Sequence, residues 1–296
     1  MNYPLTEYLA PLFADDPLIM VDVGARFGLD KRWEALGNSL KAYCFEADTA
    51  ECERLQAVAH PSVTYIPAAL GARTGRATLY HARYKESTGL YRTNEKFFGR
   101  LLNAANGEVV KTEEIDVITL EEARTKYGIP NHDFVKLDVE GAEMDVLRGA
   151  FVAGTFGILS ELRFHKQING SPPFSELDQW MTVRGFMLYG LWTGSQSRKA
   201  LPYPGPKMHF PTGERFYAGT NGGQVMDGDA LYFRDPMLLK LTRNQILRSA
   251  CMFELYGLKD CAAELLIERE KEAEIDAVKC LDLLAGGSFR QYMEAY

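Results

Sequence analysis

The sequence predicts an α/β fold: a seven-stranded, mostly parallel sheet with helices between the strands and a helical appendage at the end of the chain. Three observations carry this reading. Short apolar runs at 19–23, 42–45, 64–67, 134–138 and 158–162 each have the length and composition of a buried strand. Helical segments lie between them, and alternation of this kind implies parallel strands joined by right-handed crossovers. Glycines and carboxylates gather just after the runs, which is where open α/β sheets bind ligands.

The first run, LIMVDVGARFG at 18–28, passes from an apolar strand into Asp22, Gly24 and Gly28. Glycines there let the backbone turn tightly and approach a ligand closely. The second run, AYCFEAD, ends on Glu46, and Thr49 with Glu51 and Glu53 then suits the start of a helix over 49–58. Residues 76–118 break the rhythm: 77–80 and 109–117 read as extended segments around an exposed loop. The run DFVKLDVEGAEMDVLRG at 133–149 is a strand that turns at Gly141 into a short helix, 143–148, with Asp138, Glu140 and Glu143 crowding the turn. Segments 186–192 and 230–233 supply the last two strands. Between them 194–228 is rich in Gly and Pro, as a lid, a binding loop or a disordered segment would be.

After Pro236 the composition changes. Thr242 with Gln245 forms a capping box, and Ile246, Ala250 and Phe253 mark one apolar helix face. Cys261, Leu265 and Leu266 mark a second face, and Val278, Leu281 and Leu284 a third. The chain therefore divides into a main domain, 1–235, and a helical appendage, 236–296, which is the candidate surface for self-association.

A formal net charge of −7 argues against broad nucleic-acid binding. No secretory signal and no apolar run long enough to span a membrane are visible. Five scattered cysteines, an odd number without metal-site spacing, point to a reduced, cytoplasmic protein.

The strand-end residues suggest the ligand. Dinucleotide sites cradle a pyrophosphate with three glycines, whereas here Asp22 replaces the first of them. An aspartate repels phosphate but suits a sulfonium. Glu46 is placed to accept hydrogen bonds from both ribose hydroxyls of a nucleoside. A nucleoside with a cationic tail is S-adenosylmethionine. This disfavours a nicotinamide-dependent oxidoreductase. A non-enzymatic scaffold that binds a partner through the helical tail is disfavoured by the retention of Asp22, Gly24, Glu46 and Asp138.

VDVGARFG (21–28), FEAD (45–48), AALGARTG (68–75), IDVITLEE (115–122), DFVKLDVEGAEMDVLRGA (133–150) and ILSEL (158–162) together resemble the FkbM family of S-adenosylmethionine-dependent methyltransferases, in order and in spacing. The resemblance covers roughly 18–165. FEAD departs from it, since many relatives have proline and asparagine after the acid, but Glu46 is kept. The resemblance implies a class I methyltransferase (Rossmann-like) fold and O-methylation of a hydroxyl on a sugar or small metabolite. Cofactor-binding candidates within these segments are Asp22, Gly24, Arg26, Gly28, Glu46, Ala47, Ala69 and Asp138.

The protein's task in such a reaction is to align the acceptor and to take its proton. Glu140, Glu161 and His165 are the catalytic candidates, while Glu143 reads as a helix N-terminal charge. Asp138, Glu140, Glu161 and His165 form the candidate ligand set for Mg²⁺ or Mn²⁺. Ser87, Thr88 and Tyr91 in ESTGLY could meet cofactor or acceptor. In the 194–228 loop Tyr203, Lys207, His209, Arg215, Phe216 and Tyr217 offer aromatic and basic groups to a saccharide or anionic acceptor.

Overall fold

The computed structural model describes residues 2–150, 152–209, 213, 215–217 and 219–294. Seven strands form the main sheet: β1 (Leu18–Val23), β2 (Leu40–Phe45), β3 (Val63–Ile66), β4 (Phe134–Leu137), β5 (Gly157–Arg163), β6 (Phe186–Gln196) and β7 (Gln224–Arg234). Their order is β3-β2-β1-β4-β5-β7-β6. β7 runs antiparallel to both of its neighbours, and the other six strands are parallel to one another.

All six residues of β1 are buried, as an apolar run covered on both faces requires. β1 pairs with β2 from Leu18–Leu40 to Val23–Phe45, and with β4 from Met20–Phe134 to Val23–Leu137. The ends of β1, β2 and β4 therefore fall at one level, and their following turns face a common space.

Two apolar clusters cover the two faces of the sheet. One joins Val21, Val135, Leu137, Phe186 and Tyr232 to the helices Leu120–Tyr127, Glu143–Arg148 and Phe174–Thr182. The other joins Trp33, Phe134 and Phe233 to Leu5 and Leu9 of the first helix and to Ile246, Phe253, Leu265 and Leu284 of the tail. Thr242 and Gln245 form the expected capping box, and every residue from Ile246 to Leu255 is buried. The Glu254 carboxylate accepts from the backbone N–H groups of Leu5 (3.1 Å) and Thr6 (2.6 Å), so the tail also caps the N-terminal helix. The tail is helical, as the sequence indicates, but its longest helix covers a face of the sheet. Ile246, Phe253, Leu265 and Leu281 are buried within the chain, while Ile267 and Val278 remain exposed. Removing residues 237–296 is therefore expected to give an insoluble chain, because it bares Phe233 and Phe134. A soluble, cofactor-binding 1–236 fragment on a sizing column would contradict this.

The break in rhythm at 76–118 is an insertion. Gly75–Ala82 and Val109–Ile118 pair antiparallel, and Ala69–Leu70 adds to the second of them. The segment between them is more than an exposed loop: Leu101, Asn103 and Asn106 are buried in it. β6 and β7 are longer than the apolar pattern indicates, so the intervening segment shortens to 197–223. Within it Lys207–His209 pairs with Arg215–Tyr217. The side chains of Phe216 and Tyr217 lie outside the described ones.

Candidate active site

The turns after β1, β2 and β4 enclose a cavity of about 270 Å³. Gly24, Arg26, Glu46, Ala47, Asp48, Ala69, Asp138, Glu140 and Glu161 all line it, with Leu70, Leu79 and Leu90 forming an apolar wall. Two glycines make the close approaches possible. Gly24 takes a φ of +86°, and a Cβ there would lie 1.8 Å from the Asp138 carbonyl oxygen. Gly89 brings the ESTGLY segment over the β4 turn, where a Cβ would meet the Glu140 carbonyl at 2.9 Å.

Glu46 is only 6 % exposed at the end of β2. Its Oε1 accepts from the Asp48 N–H at 2.8 Å and lies 3.6 Å from the Arg26 guanidinium. Burial raises its pKa, against the Asp48 N–H and Arg26, which lower it. Asp22 is also buried, 3 % exposed, but it does not line the cavity. Its Oδ1 lies 3.2 Å from Lys136 Nζ, which also lies 3.3 Å from Asp138 and donates to the Gly24 carbonyl at 3.0 Å. Burial pulls the Lys136 ammonium down, but Asp22 and Asp138 outweigh it and hold the pKa above the ordinary lysine value. Lys136 thus ties β1, β4 and the glycine turn together, with Asp22 beneath the cavity floor. Gly28 does not line the cavity either: a Cβ there would meet Tyr65 and Leu55.

The turn after β4 aims its carboxylates. Glu143 Oε1 accepts from the N–H groups of Val139 (3.1 Å) and Gly141 (3.0 Å), so Glu143 shapes the turn. Glu140, between them, takes a φ of +53°, an uncommon conformation for a side-chain-bearing residue that suits a functional site. Arg163, on β5, bridges Glu140 Oε2 (2.6 Å) and Glu161 Oε1 (2.5 Å). Register explains part of this charge group: Glu161 lies opposite Asp229 and Arg163 opposite Asp227 on β7. One guanidinium cannot neutralise two buried carboxylates. Burial pushes Glu140 up to about 8, against the pull of Arg163, and pushes Glu161 well above the usual carboxylate range. Glu161 Oε2 is buried with no hydrogen-bond partner among the described residues.

Asp138, Glu140 and Glu161 bring one carboxylate oxygen each within 4.8 Å of one another. His165 does not join them among the described residues, which corrects the four-residue ligand set. β5 ends at Arg163, so the alternation that would carry His165 onto the face of Glu161 stops there. The His165 Nε2 instead lies 3.0 Å from the Val225 carbonyl and 2.8 Å from the Gln224 side-chain amide. Thr88 lines this cavity, while Ser87 and Tyr91 line a second one beside it. None of the described residues lining the first cavity comes from 194–228. Lys136, Arg163, Asp227 and Asp229 escape a sequence reading based on strand ends; a charged residue inside an apolar strand was the available signal.

A six-parallel, one-antiparallel sheet with an acid at the end of β2 and a glycine turn after β1 defines a class I S-adenosylmethionine-dependent methyltransferase fold. The chain belongs to the FkbM methyltransferase family: residues 22–188 match the methyltransferase FkbM domain. No curated protein matches it significantly. Among solved structures it is similar to a provisionally assigned RNA methyltransferase from Pyrococcus horikoshii, at 11 % identity over 77 % of this chain and 83 % of that one, with a TM-score of 0.34. A precorrin-6y C5,15-methyltransferase from Geobacter metallireducens is similar at 9 % identity over 76 % and 87 % of the two chains, with a TM-score of 0.32. A 1,6-didemethyltoxoflavin-N1-methyltransferase from Burkholderia thailandensis, solved with S-adenosylhomocysteine, is similar at 7 % identity over 79 % of each, also with a TM-score of 0.32. No helix among the described residues is long and apolar enough to cross a membrane.

Proposed function

We propose that the protein transfers a methyl group from S-adenosylmethionine to a hydroxyl of a sugar or small metabolite, with Glu161 as the general base. The observation that carries this reading is the buried Glu161 oxygen without a partner among the described residues, placed where the first cavity meets the second. Glu46 would accept from the ribose hydroxyls, and Ala47, Ala69 and Leu70 would enclose the base. Asp138, Glu140 and Glu46 give the cavity the negative character that favours a sulfonium.

The bound cofactor supplies an electrophilic methyl: the acceptor oxygen forms the new C–O bond while the C–S pair returns to sulfur, leaving S-adenosylhomocysteine. Glu161 takes the hydroxyl proton on Oε2. Arg163 holds Glu161 by Oε1, which orients the free oxygen. The ESTGLY segment, drawn onto the β4 turn by Gly89, excludes water. Closure over the acceptor by the segment between β6 and β7 is part of the same reading. The five unpaired thiols favour the cytoplasm as its compartment.

A second arrangement is favoured by the convergence of Asp138, Glu140 and Glu161. Their all-oxygen set suits a hard divalent cation, and the unpartnered Glu161 oxygen fits one. These three residues would hold Mg²⁺ or Mn²⁺, and the ion would lower the pKa of the acceptor hydroxyl. Loss of activity on chelation, with recovery on adding Mg²⁺, would select this arrangement over the base alone.

Mass spectrometry of saccharides and cell extract incubated with isotope-labelled cofactor tests the reaction class. A label on oxygen supports the proposal, and a label on nitrogen or carbon refutes it. The pH profile tests the base. Glu161 works only when ionised, and burial raises its pKa, so turnover should fall with falling pH while the medium is still well above the ordinary glutamate range. A profile that is flat above that range would exclude Glu161 as the base.

A further inference from the structure

The second cavity, about 190 Å³, lies between the 83–107 segment and the ends of β5 and β7. It shares Glu140 and Glu161 with the first cavity, so the two meet at those carboxylates. It is smaller than the range of about 300–1,000 Å³ typical of pockets for drug-sized ligands. Its charged lining groups are Glu140, Glu161, Asp227 and Arg163, three acids and one base. With every group ionised the formal sum is −2. An anionic ligand would meet three acids against one base.

The remaining wall mixes polar side chains, among them Tyr84, Asn103 and Gln167, with the apolar Phe98 and Ile168. Asn103 is 6 % exposed, and its Oδ1 is buried with no partner among the described residues. It is held firmly: the neighbouring Leu102 N–H donates to the Ser197 carbonyl at 2.9 Å, and the Asn103 carbonyl accepts from the Asn106 N–H at 2.9 Å. Glu161 Oε2, also lining the cavity, is in the same condition. Two unmet buried acceptors in one small cavity call for a ligand that brings two donors, because buried polar groups are otherwise paired.

We infer that this cavity is the acceptor subsite, that it takes an uncharged, hydroxyl-rich fragment, and that Asn103 determines specificity by accepting from a hydroxyl that is not methylated. The inference rests on the methyl-transfer reading above, with the reacting hydroxyl directed to Glu161 Oε2 and a second hydroxyl to Asn103 Oδ1.

The test is binding of methyl glucoside, methyl fucoside and myo-inositol, with glucuronate and inorganic phosphate as anionic counterparts. It uses full-length protein saturated with S-adenosylhomocysteine, read by saturation-transfer NMR. At least one neutral probe should bind wild type, and both anions should bind at least about tenfold more weakly. Asn103→Leu should weaken that probe about tenfold, the scale of one lost hydrogen bond, with S-adenosylhomocysteine affinity unchanged. Asn103→Asp keeps an acceptor oxygen at the same place and should retain the probe, which a merely structural role would not predict. Tighter binding of either anion, equal binding by Asn103→Leu, loss in both variants, or no binding by any neutral probe would overturn the inference. Failure of wild type to bind S-adenosylhomocysteine is a separate result, and it would overturn the methyl-transfer reading and this inference with it.

Discussion

Replacing Glu161 with glutamine is expected to lower turnover roughly a hundred- to ten-thousandfold, the range a positioned general base contributes. The fold should survive the change. Glutamine keeps the shape of the side chain, and burial opposes the charge that the change removes. Arg163 keeps its 2.6 Å ion pair with Glu140, so no buried charge is left unpaired. S-adenosylhomocysteine should bind Glu161→Gln as it binds wild type, since the ribose end of the cavity is untouched. Single-turnover rates and calorimetry on the same preparation separate the two effects. Wild-type turnover in Glu161→Gln would remove Glu161 from the chemistry.

The second large effect is expected at Gly24. A methyl group there would sit 1.8 Å from the Asp138 carbonyl oxygen, on a residue whose φ is +86°. Neither the glycine turn nor the end of β4 can yield, because Asp138 N–H donates to the Val23 carbonyl at 2.9 Å and Gly24 N–H to the Phe45 carbonyl at 3.0 Å. Backbone strain and overpacking together cost roughly 2–5 kcal/mol. Gly24→Ala should therefore lose cofactor binding and melt at lower temperature. Gly37→Ala is the control: its φ is also positive, at 52°, but nothing lies within 4 Å of the new methyl. It should lower stability a little and leave cofactor affinity alone. Equal cofactor affinity in both variants would mean that the glycine turn does not shape the cavity.

Much of this arrangement is legible in the sequence, because parallel strands buried on both faces are written as continuous apolar runs. Val21, Phe45 and Val135 sit in runs whose ends are the strand ends, so Gly24, Glu46 and Asp138 could be placed from periodicity and turn residues alone. The tail was harder. Ile246 and Phe253 mark a helix face, but no local pattern tells whether that face meets a sheet, another helix or another chain. Asp22 follows the same logic: its position at the end of β1 is visible, and its pairing with Lys136 across strands is not. His165 shows the reverse error. Alternation extended past Arg163 puts it beside Glu161, and the chain bends there to bond Phe164 N–H to the Met226 carbonyl. Asn103 had no signal, since its burial depends on an insertion folding back over the sheet.

The central claim is that the cavity at the ends of β1, β2 and β4 holds S-adenosylmethionine through Glu46. Calorimetric titration of S-adenosylhomocysteine into wild type and Glu46→Ala tests it most directly, with NAD as the competing ligand. Wild type should bind S-adenosylhomocysteine saturably, one to one, and should not bind NAD. Glu46→Ala should bind roughly ten- to a hundredfold more weakly, the effect of losing a charge-assisted hydrogen bond. Equal affinity of the two proteins for S-adenosylhomocysteine, or tighter binding of NAD, would contradict it.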